Sequence, residues 1–163
     1  MPVTSDVFRR TLGHFGSGVT VVTAATEERM AGLTVSAFSS VSLNPPLILV
    51  CIHKQSSAVD VIRDGGKFAV NLLSEEQIDV SNHFASQTPD KFQNVAVQIS
   101  TFGLPILEGS LGFLECSVFQ EVDAGDHYVY IGQVENAETD ESKHPLLYYH
   151  GRYETLSSKN PVS

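Results

Sequence analysis

The sequence is poor in the residues that nucleic-acid-binding, metal-binding and membrane-spanning proteins need. Ten Lys and Arg stand against 19 Asp and Glu, so the formal net charge is −9 and we expect no general attraction to nucleic acid or anionic lipid. The two cysteines and six histidines show no metal-ligand spacing. No apolar run approaches the roughly 18 residues that span a bilayer. We therefore expect no metal site, no nucleic-acid partner and no membrane segment.

Familiar catalytic motifs are also absent. The sequence contains no G-x-G-x-x-G after its first strand-like run, no G-x-x-x-x-G-K-[ST], no G-x-S-x-G and no H-E-x-x-H. If the protein is an enzyme, a bound cofactor is therefore expected to supply its chemistry, while the chain supplies position and electrostatics.

The cysteines and the first residues predict a cytoplasmic location. Cys51 and Cys116 lie within apolar runs, which is typical of reduced, buried thiols. The opening segment MPVTSDVFRR lacks the basic-then-apolar layout of a secretory signal.

What the sequence does contain is a globular balance of residues. Hydrophobic residues make up 42% of the 163 and charged residues 18%, which is enough for one domain with a full core. We expect a single domain over 1–163, with its core over about 5–156 and a frayed tail from 157.

Short helices alternate with longer strand-like runs along the chain. The patterns predict helices over 5–14, over 56–64 behind a serine N-cap, and toward residue 84 behind a capping box at 74–77. They predict strands over 18–24, 67–73, 111–122, 127–138 and 145–153, and a loop-like segment over 89–107. Many strands without a β–α–β rhythm favour an antiparallel barrel with peripheral helices.

The most informative stretch runs from Gly32 to Lys54, GLTVSAFSSVSLNPPLILVCIHK. It alternates small hydroxyl residues with apolar ones, turns at 44–46 and continues as an apolar strand. Such a strand has one face for the core and another rich in short hydrogen-bonding groups. That second face could line a pocket for a flat, polar-edged ligand, or could be a solvated sheet face. The pattern alone leaves both interpretations open.

Other residues carry the same ambiguity. Ser56 and Ser57 open a predicted helix, where free N–H groups can seat a phosphate or where a serine can simply cap. Lys91 could add local positive charge or be a solvated lysine. His127, after Gly125-Asp126, is either a turn residue or a donor over a cofactor.

Taken together, these segments resemble the flavin reductase family of the FMN-binding split-barrel fold. The landmarks span nearly the whole chain, and their order and spacing are more specific than any one of them. They are FGSGVTVVT at 15–23, GLTVSAFSSVS at 32–42, FAVNLL at 68–73, GDH at 125–127 and PLLYYHGRY at 145–153.

The resemblance implies a mainly β protein, a six-stranded antiparallel split β-barrel with short peripheral helices, and a homodimer. It implies that NADH or NADPH reduces FMN or FAD by hydride transfer, and that the reduced flavin diffuses to a separate oxygenase. A flavin-binding electron carrier or sensor without reductase turnover stays open as an alternative, because one fold can serve several functions.

The resemblance also implies a set of site residues. No acid–base catalyst is implied, although His127 is expected to position the nucleotide. The flavin would contact Leu33, Thr34, Val35, Ser36, Ser40, Val41, Val50, Cys51, Ile52, Ser56, Ser57, His83, Phe84 and Lys91. The nicotinamide nucleotide would contact His127, Tyr149 and Arg152. Lys91 replaces an arginine that is common in the family. A lysine ammonium therefore stands where a guanidinium could form two parallel hydrogen bonds.

Overall fold

The computed structural model describes residues 2–157. The predicted tail lies, apart from Ser157, outside the described residues. The chain forms three helices, α1 (Ser5–Leu12), α2 (Ala58–Gly65) and α3 (Ile78–Ala85). It forms twelve strands: β1 (Ser17–Gly18), β2 (Thr20–Ala25), β3 (Met30–Val35), β4 (Phe38–Leu43), β5 (Pro46–His53), β6 (Lys67–Leu72), β7 (Val97–Ile99), β8 (Pro105–Leu107), β9 (Gly112–Ala124), β10 (His127–Thr139), β11 (Leu147–Tyr149) and β12 (Arg152–Glu154).

The main sheet has seven strands in the order β3-β2-β6-β9-β10-β5-β4. Every neighbouring pair is antiparallel. The mainly β class is therefore confirmed, whereas the expected count of six strands is wrong for this sheet. Its two edge strands, β3 and β4, are consecutive and joined only by Ser36 and Ala37, so the two edges of the sheet meet at that corner.

Three predicted elements differ from the observed ones for local reasons. The first helix ends at Leu12, because Gly13 takes the C-cap. In the predicted capping box, Ser74 N–H donates to Gln77 Oε1 at 2.9 Å, but the Ser74 hydroxyl donates to the Gly109 carbonyl. The hydrogen bond between Ser74 and Gln77 closes a turn before the helix. The helix itself begins at Ile78, with Gln77 at its N-cap.

The predicted final strand over 145–153 is a hairpin instead. β11 and β12 pair with each other around His150 and Gly151, which adopt φ of 52° and 74°. Left-handed residues turn the chain sharply, and glycine accommodates that conformation without strain. The loop-like segment over 89–107 also contains the small hairpin β7–β8.

The hydrophobic core follows the strand alternation. Along β5, Ile48, Val50 and Ile52 are buried at 0–5% exposure and pack with the apolar face of α2 in one cluster. A second cluster packs Phe84 of α3 against Val21 and Leu107. Within residues 2–157, no helix has both the length and the apolar character needed to cross a membrane.

Candidate functional site

A cleft of about 710 Å³ opens between β3, the start of α2 and the segment that follows α3. This volume is typical of a small-molecule site. Residues from all three elements line it: Leu33, Thr34, His53, Gln55, Ser56, Ser57, Phe84, Ala85, Ser86, Gln87, Thr88, Pro89 and Lys91.

β3 supplies one wall of the cleft. It is an edge strand, paired on one side with β2, and on its other side the Gly32 carbonyl accepts a hydrogen bond from Lys91 Nζ at 3.2 Å. Backbone groups two residues apart point to the same side of a strand. The N–H and C=O of Thr34 therefore also face away from β2, where a ligand can pair with them.

The Thr34 side chain adds a fixed oxygen. Its hydroxyl donates to the Ser81 carbonyl of α3 at 2.6 Å, so its only hydrogen is used and its lone pairs can accept from a ligand. The neighbouring Val35 is buried and packs in the main core. Only the backbone of Val35 can contribute to a site.

Lys91 brings a positive charge into the cleft. Its Nζ donates to the carbonyls of Gly32 and Phe84 at 3.2 and 2.8 Å. Among residues 2–157, no carboxylate oxygen forms an ion pair with it within 4.0 Å. Burial lowers the pKa of the Lys91 ammonium. A half-buried ammonium held only by carbonyls is a strong attractor for an anionic ligand.

The first turn of α2 lies at the same cleft. The Ser56 hydroxyl accepts from the Ala58 N–H at 3.3 Å, while Ser57 occupies the N-cap position without a side-chain capping bond. The early N–H groups of a helix have no partner within the helix and carry partial positive charge. Two serines and this helix end thus face the same space as Lys91.

A second cavity of about 200 Å³ adjoins the cleft and shares Thr34 and Ala85 with it. Ser36, Tyr148 and Tyr153 are among its other lining residues. The groove formed by the two cavities follows β3 from the Ser56 and Lys91 end to the Ser36 corner. This shape suits an elongated ligand with an anionic end and a flat end.

The structure brings together about half of the predicted flavin residues. Leu33, Thr34, Ser56, Ser57, Phe84 and Lys91 line the cleft, and Ser36 lines the adjoining cavity.

The remaining predicted flavin residues lie elsewhere. Val50 and Ile52 have no exposed surface, so their side chains belong to the core and cannot line a cofactor path. Cys51 points to the opposite face of β5, and burial raises the pKa of its thiol. Ser40 and Val41 lie exposed on β4, and His83 lines a separate surface cleft while its Nε2 meets the Lys91 carbonyl oxygen at 2.7 Å.

The residues predicted to bind the nicotinamide nucleotide also lie apart from one another. His127 packs its ring against that of His53, which lines the cleft. Tyr149 and Arg152 are register partners in the β11–β12 hairpin, and both are exposed and face away from the groove. Their strand neighbours Tyr148 and Tyr153 line the groove instead, because successive side chains alternate in direction.

Sequence reasoning missed Ser81, Tyr148 and Tyr153. The Tyr153 hydroxyl donates to Asn82 Oδ1 at 3.0 Å and lies 2.7 Å from the Ser81 hydroxyl, which ties the C-terminal hairpin to α3. A turn placed at His150-Gly151 would have revealed which tyrosines share a face. His53, Gln87 and Thr88 were missed too, and their types alone carry no signal.

A family model for the flavin reductase like domain matches residues 12–157. The chain belongs to this family. It is 43% identical over 148 residues to the reductase subunit of a flavin-dependent monooxygenase from Mycobacterium tuberculosis, covering 90% of this chain and 79% of the relative. It is 40% identical over 159 residues to an NADH-dependent flavin reductase from a Rhodococcus species, covering 94% and 88%.

Solved structures of flavin reductases have the same fold. An NADH:FAD oxidoreductase from Streptomyces globisporus, in complex with NAD and FAD fragments, superposes with a TM-score of 0.92 at 31% identity over 99% of both chains. A component B homologue of nitrilotriacetate monooxygenase from Mycobacterium thermoresistibile has a TM-score of 0.91 at 38% identity, over 97% of this chain and 90% of that one. The predicted flavin reductase family and oxidoreductase class are confirmed.

Proposed function

We propose that this family member uses NADH or NADPH to reduce FMN or FAD and supplies the reduced flavin to a separate monooxygenase component. The observation that carries the proposal is the groove along β3, in which a hydroxyl-bearing edge strand meets a lysine ammonium held by backbone carbonyls and a helix start. Relatives named as monooxygenase reductase subunits support the same role.

The residues at the α2 end fit the flavin phosphate. Lys91 supplies a charge without a carboxylate partner in the described part of the chain, and Ser56 and Ser57 supply hydroxyls beside the N–H groups of α2. Together they offset the general repulsion that a chain of net charge −9 exerts on an anion.

The residues at the β3 end fit the flavin ring. A flavin accepts a hydride and stores two electrons, which adds negative charge along its polar edge. The outward backbone groups of Thr34 and the hydroxyl of Ser36 can hydrogen-bond that edge without titrating. Donors fixed in place before the reaction stabilise such charge at little cost in reorganisation.

The chain is not required to move a proton in this reaction. Its task is to hold the nicotinamide and the flavin ring face to face, and such positioning alone supplies a large part of a rate enhancement. The groove walls of β3, α3 and the β11–β12 hairpin hold one ring, while the second must approach from the open side of the cleft.

The test is multiple turnover without oxygen. The purified protein is mixed with a large molar excess of FMN or FAD and with NADH or NADPH, and bleaching of the flavin is followed. Reduction of many flavins per protein chain is expected, because reduced flavin must leave for the next one to enter. Bleaching that stops at one flavin per chain would instead indicate an electron carrier, and no bleaching with either nucleotide would exclude the reductase.

We also propose that the protein is a homodimer. α1 has no buried residue, and its apolar side chains Phe8 and Leu12 are 53% and 54% exposed, as is the following Phe15 at 79%. Leu43 at the end of β4 is 93% exposed. Exposed apolar groups of this size favour a protein partner. Sedimentation equilibrium at several concentrations tests the proposal, and a monomer throughout would contradict it.

A cytoplasmic location is proposed on separate grounds. Cys51 and Cys116 are both free thiols, which is typical of reducing compartments. Fractionation of cells that express the tagged chain tests this, and recovery outside the cytoplasm would overturn it.

A further inference from the structure

Three elements enclose the smaller cavity of the groove, the one of about 200 Å³ at the β3 end. Among the residues that line it are Thr34 of β3, Ser81 and Ala85 of α3, and Tyr148 and Tyr153 of the C-terminal hairpin. Within residues 2–157, β12 is the outer strand of its sheet and pairs with β11 alone. The distance between the hairpin and α3 is therefore set by side chains rather than by a strand ladder.

The Tyr153 hydroxyl links the hairpin to α3. It lies 3.0 Å from Asn82 Oδ1 and 2.7 Å from the Ser81 hydroxyl. A phenol has a single hydrogen and an amide oxygen only accepts, so Tyr153 donates to Asn82 and accepts from Ser81. The Tyr153 ring packs against the second core cluster, and its centroid is 5.5 Å from that of the Tyr148 ring. Both ends of this side chain are thus held in place.

Ser81 joins Tyr153 to the opposite wall of the cavity. It has no exposed surface, and its carbonyl accepts from the Thr34 hydroxyl at 2.6 Å, while its own hydroxyl donates to Tyr153. The hydroxyl hydrogens of Thr34, Ser81 and Tyr153 are therefore all used within the protein. A ligand in this cavity meets hydroxyl oxygens of fixed orientation, because turning any one of them breaks a hydrogen bond.

We propose that Tyr153 is a positioning residue for the flavin ring. Its hydroxyl holds the hairpin at a fixed distance from α3 and, through Ser81, holds α3 against the Thr34 side chain. The ring is then kept in one place against β3, where the nicotinamide meets it in one geometry. This inference rests on the proposed function and names a residue that acts on the flavin through α3. Hydride transfer is sensitive to such placement, because a misplacement of about 1 Å can lower a rate about 100-fold.

Tyr153→Phe tests the proposal in binding, because it removes the hydroxyl and keeps the ring that packs in the core. The dissociation constants of FMN and of riboflavin, which has the same ring and no phosphate, are measured by quenching of flavin fluorescence without nucleotide. Tyr153→Phe should weaken both flavins by the same factor of about 2- to 13-fold, the effect of one neutral hydrogen bond. Lys91→Gln, at the other end of the groove, should weaken FMN more than riboflavin.

A rate measured on bound flavin separates positioning from a general loss of structure. Protein in excess over FMN is mixed rapidly with NADH or NADPH in the absence of oxygen, and bleaching of the bound flavin is followed. The rate constant at saturating protein should fall in Tyr153→Phe, because the ring is no longer held in one place. Thermal unfolding checks that each variant folds. A purely structural role would lower the unfolding temperature and leave this rate constant unchanged.

Two further variants make the comparison specific. Tyr128→Phe is the matched control, since it removes a hydroxyl from a tyrosine whose ring packs against Lys54 and Arg63 outside the groove. It should change neither the two dissociation constants nor the rate constant. Ser81→Ala removes the same link from the side of α3. Its effect on riboflavin affinity should therefore not add to that of Tyr153→Phe when the two are combined.

The outcomes that would overturn the inference differ from those that bear on the proposed function. Unchanged riboflavin affinity in Tyr153→Phe would overturn it, as would a loss confined to FMN, which would place the hydroxyl at the phosphate end. An unchanged bleaching rate would overturn it too. No flavin reduction by the unaltered chain with either nucleotide would instead exclude the proposed function, while the riboflavin comparison would still judge Tyr153 by binding alone.

Discussion

The Phe84 ring packs against the bare Cα of Gly32, and a Cβ at Gly32 would lie 2.6 Å from Phe84 Cε1. This contact holds α3 against β3. It also leaves the Gly32 carbonyl within reach of Lys91. The wall of the flavin groove therefore depends on the absence of a side chain at one position of the hydroxyl-rich stretch.

Gly32→Ala is expected to destabilise the protein by about 1–3 kcal/mol, because Phe84 is fully buried and cannot move freely. Flavin affinity should fall with it, since α3 and Lys91 shift together. Urea unfolding and flavin titration measure the two effects. Gly18→Ala is the matched control, since a Cβ there meets nothing within 4 Å. Equal stability of the two variants would contradict the prediction.

Asn71 is expected to be among the most sensitive polar positions. Its amide donates to the Val21 carbonyl and the Thr23 hydroxyl at 3.0 and 3.2 Å, and its oxygen accepts from the Leu107 N–H at 2.9 Å. Asn71→Ala removes the acceptor of the buried Leu107 N–H on β8 and one of the two partners of the Thr23 hydroxyl, which still donates to the Pro105 carbonyl, and this should cost about 1–3 kcal/mol. Denaturant unfolding measures this loss.

Gln98→Ala provides the comparison for Asn71→Ala, because it removes an amide from the exposed face of β7. It should change the free energy of unfolding by less than about 0.5 kcal/mol. Similar losses in the two variants would show that the hydrogen bonds of Asn71 contribute no more to the free energy of unfolding than an exposed amide does.

Lys91 should give flavin binding an alkaline limit. Because burial lowers its pKa, the ammonium loses its proton at a lower pH than an ordinary lysine, and attraction for the phosphate is lost as pH rises through that value. FMN affinity should therefore decline toward alkaline pH, whereas riboflavin, which has no phosphate, should show no such decline.

Two substitutions separate charge from packing at this position. Lys91→Gln should weaken FMN binding by about 30-fold, the effect of losing a charged hydrogen bond of roughly 2 kcal/mol. Lys91→Arg should bind FMN without the alkaline decline, because a guanidinium keeps its charge. An unchanged pH profile in Lys91→Arg would assign the decline to another group.

The ion pair between Arg63 and Glu121 should contribute to stability above the unfolded pKa of the carboxyl and not in strong acid. Arg63 Nε and Nη2 donate to the two Glu121 oxygens at 2.9 and 2.7 Å, and the guanidinium lies over the Tyr128 ring at 4.6 Å. The bond to Arg63 lowers the pKa of the Glu121 carboxyl. A carboxyl whose pKa is lowered by folding stabilises the folded state at pH values above its unfolded pKa. This stabilisation is lost as pH falls through the folded-state pKa.

Glu121→Gln should therefore reduce stability at neutral pH and match the unaltered chain in strong acid. The effect is small, because the pair is partly solvated. Thermal unfolding across a pH series measures it, with Glu141→Gln on the exposed surface as the control. A deficit that persists below the carboxyl pKa would show that the loss comes from packing rather than charge.

The strands that sequence predicted best are those whose partners are close along the chain. β9 and β10 are joined by a short turn, so alternation and turn residues suffice to place them. The C-terminal hairpin was missed because the aromatic run over 145–153 continues on both sides of its His150-Gly151 turn, so that the pattern resembles one strand. The seventh strand of the sheet, likewise, depended on where a continuous hydroxyl-rich run breaks at Ser36-Ala37.

In the candidate site too, some residues could be found from local patterns and others only from the folded structure. Thr34 and Ser56 could be picked from the sequence because each stands close to the end or the start of an element, whereas the role of Lys91, which lies in a turn between α3 and β7, followed from the resemblance to the family. Val50 and Ile52 could not be excluded, since period-2 alternation says that two faces exist but not which of them meets the core. Ser81 and Tyr153 come together across 72 residues of chain, and no local pattern reports such a contact.

By itself the sequence determined the mainly β class, the hydroxyl-rich strand and, through its ordered motifs, the flavin reductase family. Only the tertiary structure decided which hydroxyls line the groove, that Lys91 stands there without a carboxylate among residues 2–157, and that His53 faces His127. The physical reason is that local patterns follow from steric and solvation preferences of neighbouring residues, whereas a site is made by packing of distant elements. Its geometry depends on the register and direction of strands that the chain brings together only on folding.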